Sequence, residues 1–314
     1  MPTTNSPSRI AIVGAGHVGS TSAYALMLRA LVSEIVLIDS NRALAEAEAA
    51  DIADANALAR PARIWAGTYA DAATAKVAIL TAGAATHGNE SRLSVLARSA
   101  AIVTECVDSL MQAGFAGTIL VAANPVDLMA QVAFRKSGLP AGRVIGTGTL
   151  LDTSRLHQAI AAKFDIAPGA VAGFVLGEHG DSEVAAFSTV GIGGLPLDDF
   201  AGPSRQLDHE TIASDVREAG YQILAGKGYT SFGIATAVVR ICEALIRDER
   251  AVLPVSTLTA GEFGIKGVFL SLPCVLGAGG VERALVPELS VLEQAAMHRS
   301  AEVIRQASAA IGAQ

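Results

Sequence analysis

The sequence predicts an α/β protein: a doubly wound parallel sheet in the first half, followed by a second, α+β domain. Three observations carry this. Short apolar, β-branched runs alternate with helical segments through the first half, the first run ends in a glycine-rich turn, and the pattern changes after about residue 150.

In chain order, RIAIVGAG (9–16), EIVLID (34–39), KVAILTAG (76–83), GTILVAANP (117–125) and RVIGTGT (143–149) read as buried strands, each bounded by Gly, Pro or Asn. Between them, HVGSTSAYALMLRA, RALAEAEAADIADAN and SRLSVLARSAAIVTECVDSLMQAG read as helices; the last repeats apolar residues every three or four positions. Strand and helix in alternation imply parallel strands with right-handed crossovers. The second half opens with the helix LLDTSRLHQAIAAKF and continues through Gly-rich strands around 170–195. Helical stretches follow at roughly 205–225 and 228–248, then the apolar runs AVLPVSTL and GVFLSLPCVLG and a polar helix from about 290. This mixture suggests an α+β domain with antiparallel strands. The expected division is 1–148 for a dinucleotide-binding domain and 149–314 for a catalytic domain. No linker-like tract separates them, so they are expected to pack tightly.

Composition narrows the function classes. With 23 basic against 30 acidic residues the net charge is −7, and no Lys/Arg cluster offers a face to phosphates, which argues against a nucleic-acid partner. The N-terminus, MPTTNSPSR, lacks the parts of a signal peptide. The apolar run GVFLSLPCVLGAGGV is too short and too broken by Pro and Gly to span a bilayer. Cys106, Cys242 and Cys274 have no CxxC spacing and read as reduced core thiols. A cytoplasmic protein is expected, with no membrane partner.

The first strand ends in GAGHVG, which places His17 and Val18 among Gly14, Gly16 and Gly19. In a Rossmann-type unit the first glycine permits the tight turn, the second lets the backbone approach a pyrophosphate, and the third packs helix on strand. Alone the motif is weak. Here it follows a strand, opens a helix, and has Asp39 at the end of the second strand, where a carboxylate accepts the ribose 2′-hydroxyl and repels a 2′-phosphate. NAD is therefore expected rather than NADP. The bland alternative is a strand–turn–helix without a ligand.

The stretch GEHGDSE holds His179 among carboxylates. The six histidines show no HExxH and no paired spacing on a helix, so no metal site is expected. A proton-transfer role needs a partner to orient the ring, and LDTSR offers Asp152 and Arg155 on one helical face. A carboxylate would fix the imidazole tautomer, and an arginine one turn away would grip a substrate carboxylate in bidentate fashion. Taken alone, LDTSR would be an ordinary helix with a surface salt bridge.

Seven blocks in order (GAGHVG, LID, AGA…ESRL, NPVD, GTGTLLDTSR, GEHGDSE and KGYTSFGIA) make the chain resemble the L-lactate/L-malate dehydrogenase superfamily over essentially its whole length, on the lactate side. VIGTGTLLDTSR and GKGYTSFGIAT are also similar to the branched-chain L-2-hydroxyacid dehydrogenases. The resemblance implies that His179 is the acid/base, that Asp152 orients it, and that Arg155 clamps the substrate carboxylate. It implies that Arg92 polarises the substrate carbonyl, that Asn124 lies near nicotinamide and substrate oxygen, and that Thr230 and Ile234 line the pocket. The implied cofactor set is Gly14, Gly16, His17, Val18, Gly19, Asp39, Ala82, Gly83, Asn124 and Ile234. The implied partners are a small 2-oxo or 2-hydroxy acid and further copies of the chain, as a dimer or tetramer. RALAEAEAADIADANAL could be a subunit-contact helix or an ordinary covering one.

Two positions depart from the family pattern. The substrate-discriminating position, usually Gln in lactate and Arg in malate enzymes, falls on Thr86. An uncharged Thr cannot pair with a second carboxylate, which argues against malate, yet its small size leaves room for a bulkier 2-oxo acid. His87 beside it keeps malate open. The positions that bind fructose 1,6-bisphosphate in activated bacterial relatives, an Arg and a His, are His157 and Ala172 here, so no such activation is expected. A non-catalytic NAD-binding regulator is the alternative from a different class. It would be expected to have lost one of His179, Asp152, Arg155 or Arg92, and all four are present.

Overall fold

The computed structural model describes residues 8–59, 62–84, 92–203 and 207–312, with Arg92 described for its backbone only. Strands β1 (Arg9–Val13), β2 (Glu34–Ile38), β3 (Arg63–Ala66), β4 (Val77–Leu80), β5 (Thr118–Val121) and β6 (Val144–Gly146) lie parallel in the order 3-2-1-4-5-6. Helices α1 (His17–Leu28), α2 (Arg42–Asn56), α3 (Tyr69–Ala72), α4 (Arg92–Gln112) and α5 (Val126–Ser137) connect them. Successive side chains of a strand point to opposite faces. Accordingly Ile10, Ile12, Ile35, Leu37 and Ile79 enter one core with α1, and Ala11, Val13, Val36, Ile38 and Leu80 enter another with α4 and α5. Burial on both faces is why these strands read as continuous apolar runs rather than alternating ones.

The second half contains α6 (Leu150–Phe164), then an antiparallel sheet of β7 (Val171–Leu176), β8 (Val184–Ile192) and β9 (Leu195–Pro196). It continues through α7 (Leu197–Ala201), α8 (His209–Lys227), α9 (Phe232–Arg247), β10 (Ala251–Ala260), β11 (Lys266–Gly277), β12 (Gly280–Ala284) and α10 (Val291–Ala310).

Three features were not legible beforehand. Strand β3, the segment RIWA, gives no clear pattern because it is a short, half-buried edge whose Trp65 ring lies under the Arg9 and Arg63 guanidinium groups. Helix α9 starts at Phe232 rather than near 228, because Gly228 takes a left-handed conformation (φ 83°) that closes α8. The third is the larger one. Strands β10–β12 do not form a sheet of their own: β10 pairs antiparallel with β6 at Ser256 and Gly146, extending the first sheet to nine strands. Gly146 permits this approach, since a Cβ there would lie 2.8 Å from Ser256 Cβ. The expected division at 148/149 falls in the turn before α6, but the sheet runs across it.

No helix among the described residues is long and apolar enough to cross a membrane. Cys106, Cys242 and Cys274 are buried free thiols.

Helix α10 opens with a capping box: the Ser290 hydroxyl accepts from the Glu293 N–H, and the Glu293 carboxylate accepts from the Ser290 N–H at 2.8 Å. Glu293 also accepts two hydrogen bonds from Ser188 on β8, so the cap joins the helix to the second sheet. Ser290→Ala is expected to lower unfolding free energy by about 1 kcal/mol, read from the denaturation midpoint at unchanged slope. An unmoved midpoint would refute this role for the cap.

Candidate active site

The first crevice opens where β1 and β4 lie side by side while their helices depart to opposite faces, the usual ligand position in open α/β sheets. Its three glycines meet three different requirements. Gly14 has φ 109°, and a Cβ on it would fall 2.6 Å from the Ala82 nitrogen. A Cβ on Gly19 would fall 1.8 Å from the Gly14 carbonyl oxygen, so helix and turn touch there. A Cβ on Gly16 would meet nothing within 4 Å among the described residues, which leaves the backbone open to an approaching group. One open position between two crowded ones is what a pyrophosphate cradle requires.

Asp39 lies half-buried at the end of β2 and accepts from the Ala15 N–H at 2.7 Å and the Asn41 N–H at 2.8 Å. It therefore fastens the glycine turn to the end of β2. Ala82 and Gly83 follow β4 beside this turn, with the Ala82 N–H bonded to the Val13 carbonyl. These residues fit an NAD molecule.

The second constellation lies at the start of α6. Asp152, in the first helical turn, is 2% exposed at its side chain, and its two oxygens are divided. Oδ1 accepts from Arg155 at 2.8 Å, and Oδ2 lies 2.5 Å from His179 Nδ1. Burial works against the charge on Asp152, but His179 and Arg155 outweigh it and hold the carboxyl below its usual range. Burial likewise opposes charge on the imidazole. The Asp152 charge and hydrogen bond prevail, aided by Asp127 and Glu183, and lift His179 to about 9. Arg155 runs past Gly220 of α8, where a Cβ would stand 3.7 Å from its guanidinium.

The loop carrying His179 is pinned on three sides. Gly177 exchanges backbone hydrogen bonds with Ser271 of β11, the Glu178 N–H donates to Ser300 Oγ of α10 at 2.7 Å, and the His179 N–H donates to Asp127 Oδ2 at 2.7 Å. Asp127 follows Asn124 by three residues, so the NPVD turn and the histidine loop are tied. Burial pushes Asp127 up to about 6, against the pull of its hydrogen bonds.

Thr230 and Ile234 are half-buried, at the α8–α9 turn and the first turn of α9. A stack of His17 on Tyr229, 3.9 Å between centroids, joins that segment to the glycine turn. Val18 is half-buried in the first turn of α1, and Asn124 is exposed after β5. Thr86 and His87 lie outside the described residues, as does the Arg92 side chain.

Asp127 and Glu183 are functional candidates that no reading of the sequence singled out. Both stand inside quoted motifs, NPVD and GEHGDSE, but only burial (1% and 8% exposed) distinguishes them from ordinary loop carboxylates. Asp152, His179 and Glu183 bring donor atoms within 4.8 Å of one another. The Arg155 guanidinium on Asp152 opposes a cation there, and both Asp152 oxygens already have partners.

His157 Nε2 contacts the Gly173 carbonyl at 3.0 Å, next to exposed Ala172. The hollow lined by Ala170, Ala172, Ser188, Thr189, Gly193 and Gly194 has no charged side chain in its lining among the described residues.

Comparison with known proteins supplies the family. Residues 8–146 match the lactate/malate dehydrogenase NAD binding domain, and residues 149–312 match the α/β C-terminal domain of the same family. The chain is 43% identical over 308 residues to an L-lactate dehydrogenase of Thermus aquaticus, covering 97% of this chain and 99% of that one. It is 41% identical over 295 residues to an L-lactate dehydrogenase of Synechococcus sp. (strain JA-3-3Ab), covering 94% and 96%. Among solved structures, a lactate dehydrogenase from a Medee basin deep-sea metagenome library superposes with TM-score 0.95 at 37% identity, covering 97% and 99%. The ligand-bound minor L-lactate dehydrogenase of Enterococcus mundtii gives 0.93 at 38%, covering 96% and 97%. With both of its halves matched in sequence and in fold, the chain belongs to the lactate/malate dehydrogenase family of NAD-dependent oxidoreductases.

Proposed function

We propose that the protein interconverts L-lactate and pyruvate, with His179 as proton donor and acceptor, Asp152 as its orienting carboxylate and Arg155 as the substrate clamp. The observation that carries this is the divided Asp152 carboxylate: one oxygen on the imidazole, the other on the guanidinium. With Nδ1 engaged by Asp152, Nε2 is the ring nitrogen left to face substrate. NAD, held by the glycine turn and Asp39, would supply or accept the hydride. At neutral pH the raised imidazole holds its proton, ready for the substrate oxygen as pyruvate is reduced; in the oxidative direction the neutral ring takes that proton back. Arg155 retains N–H donors beyond the one spent on Asp152, and its planar fork suits a carboxylate. Arg92, in its family position, polarises the carbonyl. Asn124, Thr230 and Ile234 complete the walls, and Asp39 selects NAD.

Thr86 supports a substrate with a single carboxylate, since a second one would be unpaired in a closed site. In steady-state assays of NADH oxidation, pyruvate should exceed oxaloacetate, 2-oxoisocaproate and phenylpyruvate in kcat/KM. A bulky 2-oxo acid in first place would replace lactate by a branched-chain hydroxy acid; oxaloacetate in first place would defeat the charge argument. The same assay should give superimposable pyruvate curves with and without fructose 1,6-bisphosphate, because the uncharged hollow beside Ala172 and the bonded His157 ring offer an anion little. A leftward shift on addition would show an effector site.

His179→Asn should cut turnover by roughly 10²–10⁴-fold while NADH binding, followed by fluorescence, is retained. Near-normal turnover would remove the assignment.

The assembly reading is a homo-oligomer, dimer or tetramer. Val291 and Leu292 at the start of α10 are 83% and 80% exposed, and Tyr221, Ile223 and Leu224 add apolar area on α8. Light scattering should give a multiple of the 32.0 kDa chain mass; the mass of one chain would exclude it.

A further inference from the structure

A second carboxyl group stands beside the Asp152–His179 pair. Glu183 is 8% exposed, and one of its oxygens lies within 4.8 Å of donor atoms of both Asp152 and His179. Its Oε1 is buried without a hydrogen-bond partner among the described residues. A buried carboxylate with an unmatched oxygen gains little from ionising, and a like charge next to it makes ionisation costlier still. Burial and then Asp152 push Glu183 up to about 8, against the pull of His179, Arg217 and Arg155.

We propose that Glu183 is a positioning residue for proton transfer, whose carboxyl sets the proton affinity of the His179 imidazole and so the pH range in which each direction runs. This rests on the hydroxy-acid dehydrogenase reading of the same site. Among the described residues, the charged groups facing this corner are Asp152 and Arg155 from α6, Arg217 from α8, Asp127 from α5, and Glu178 in the histidine loop. While Glu183 is protonated, the imidazole is held by Asp152, whose charge Arg155 partly offsets. Once Glu183 ionises, a second negative charge at close range holds the imidazolium more firmly, and the two titrations become linked. The sign follows. Ionised Glu183 keeps His179 protonated to higher pH, which prolongs pyruvate reduction at the alkaline end and delays lactate oxidation, which needs the neutral ring.

The test is the pH profile of kcat/KM in both directions for the wild-type chain and for Glu183→Gln. The Gln variant should move the alkaline limb of reduction and the acid limb of oxidation together, by about one pH unit toward acid, since an opposite charge at this range is worth one to three units. The KM for NADH should be unchanged, and Glu183→Asp, which keeps an ionisable group, should recover part of the shift. A folded, active Gln variant whose limbs coincide with wild type overturns the proposal. Should the Gln variant fail to fold, infrared titration of wild-type protein labelled in glutamate decides. A carboxylic-acid band lost around pH 8 supports the proposal, and no such band overturns it. A wild-type chain that turns over neither pyruvate nor lactate overturns the functional reading itself, and this inference with it.

Discussion

A carboxylate almost fully removed from water has to find compensation, and at Asp152 this requirement organises the catalytic half of the molecule. Leaving such a charge without its partners costs about 3–5 kcal/mol. Arg155 comes from the same helix one turn on, which local geometry supplies. His179 comes from a loop beyond β7, which only the fold can supply. Each charged form is kept by its neighbours: the imidazolium by Asp152, and the carboxylate by the imidazolium and the guanidinium. The imidazole proton is thus part of the electrostatic balance that holds the corner together.

That corner is exact in position because its parts are fastened to one strand. The Ser271 hydroxyl of β11 accepts the Thr149 N–H at the start of α6, and the Ser271 backbone pairs with Gly177 ahead of His179. Thr149 and Thr153 in turn bond the two backbone groups of Val175 on β7. Since β11 belongs to the same nine-stranded sheet as β1, the strand that fastens the Asp152 and His179 segments is continuous with the strand that ends in the glycine turn. Hydride and proton have to meet at one carbon–oxygen bond, and a shared rigid sheet is a physical means of holding both donors in register.

Legibility followed the range of the interactions. The strands β1, β2, β4 and β5 could be read because burial on both faces leaves an unbroken apolar run, and GAGHVG because its glycine spacing sits between a strand and a helix. Asp152 and Arg155 could be paired because i and i+3 share a helical face. By contrast RIWA, held at an edge by guanidinium–indole contacts from β1, carries no pattern within its own four residues. Asp127 and Glu183 look like other loop carboxylates until burial and the distance to His179 are known.

The sequence by itself therefore determined the α/β class, and it singled out the glycine turn, Asp39 and the His179, Asp152 and Arg155 set as candidates that the structure brings into two clusters. These depend on periodicity, on local backbone geometry and on motif order, all of which act over a few residues. Only the tertiary structure decided that β10–β12 extend the first sheet, that Ser271 fastens both the start of α6 and the His179 loop, and that Glu183 stands within reach of His179. Those depend on contacts between segments distant in sequence, whose proximity arises from the packing of the whole chain.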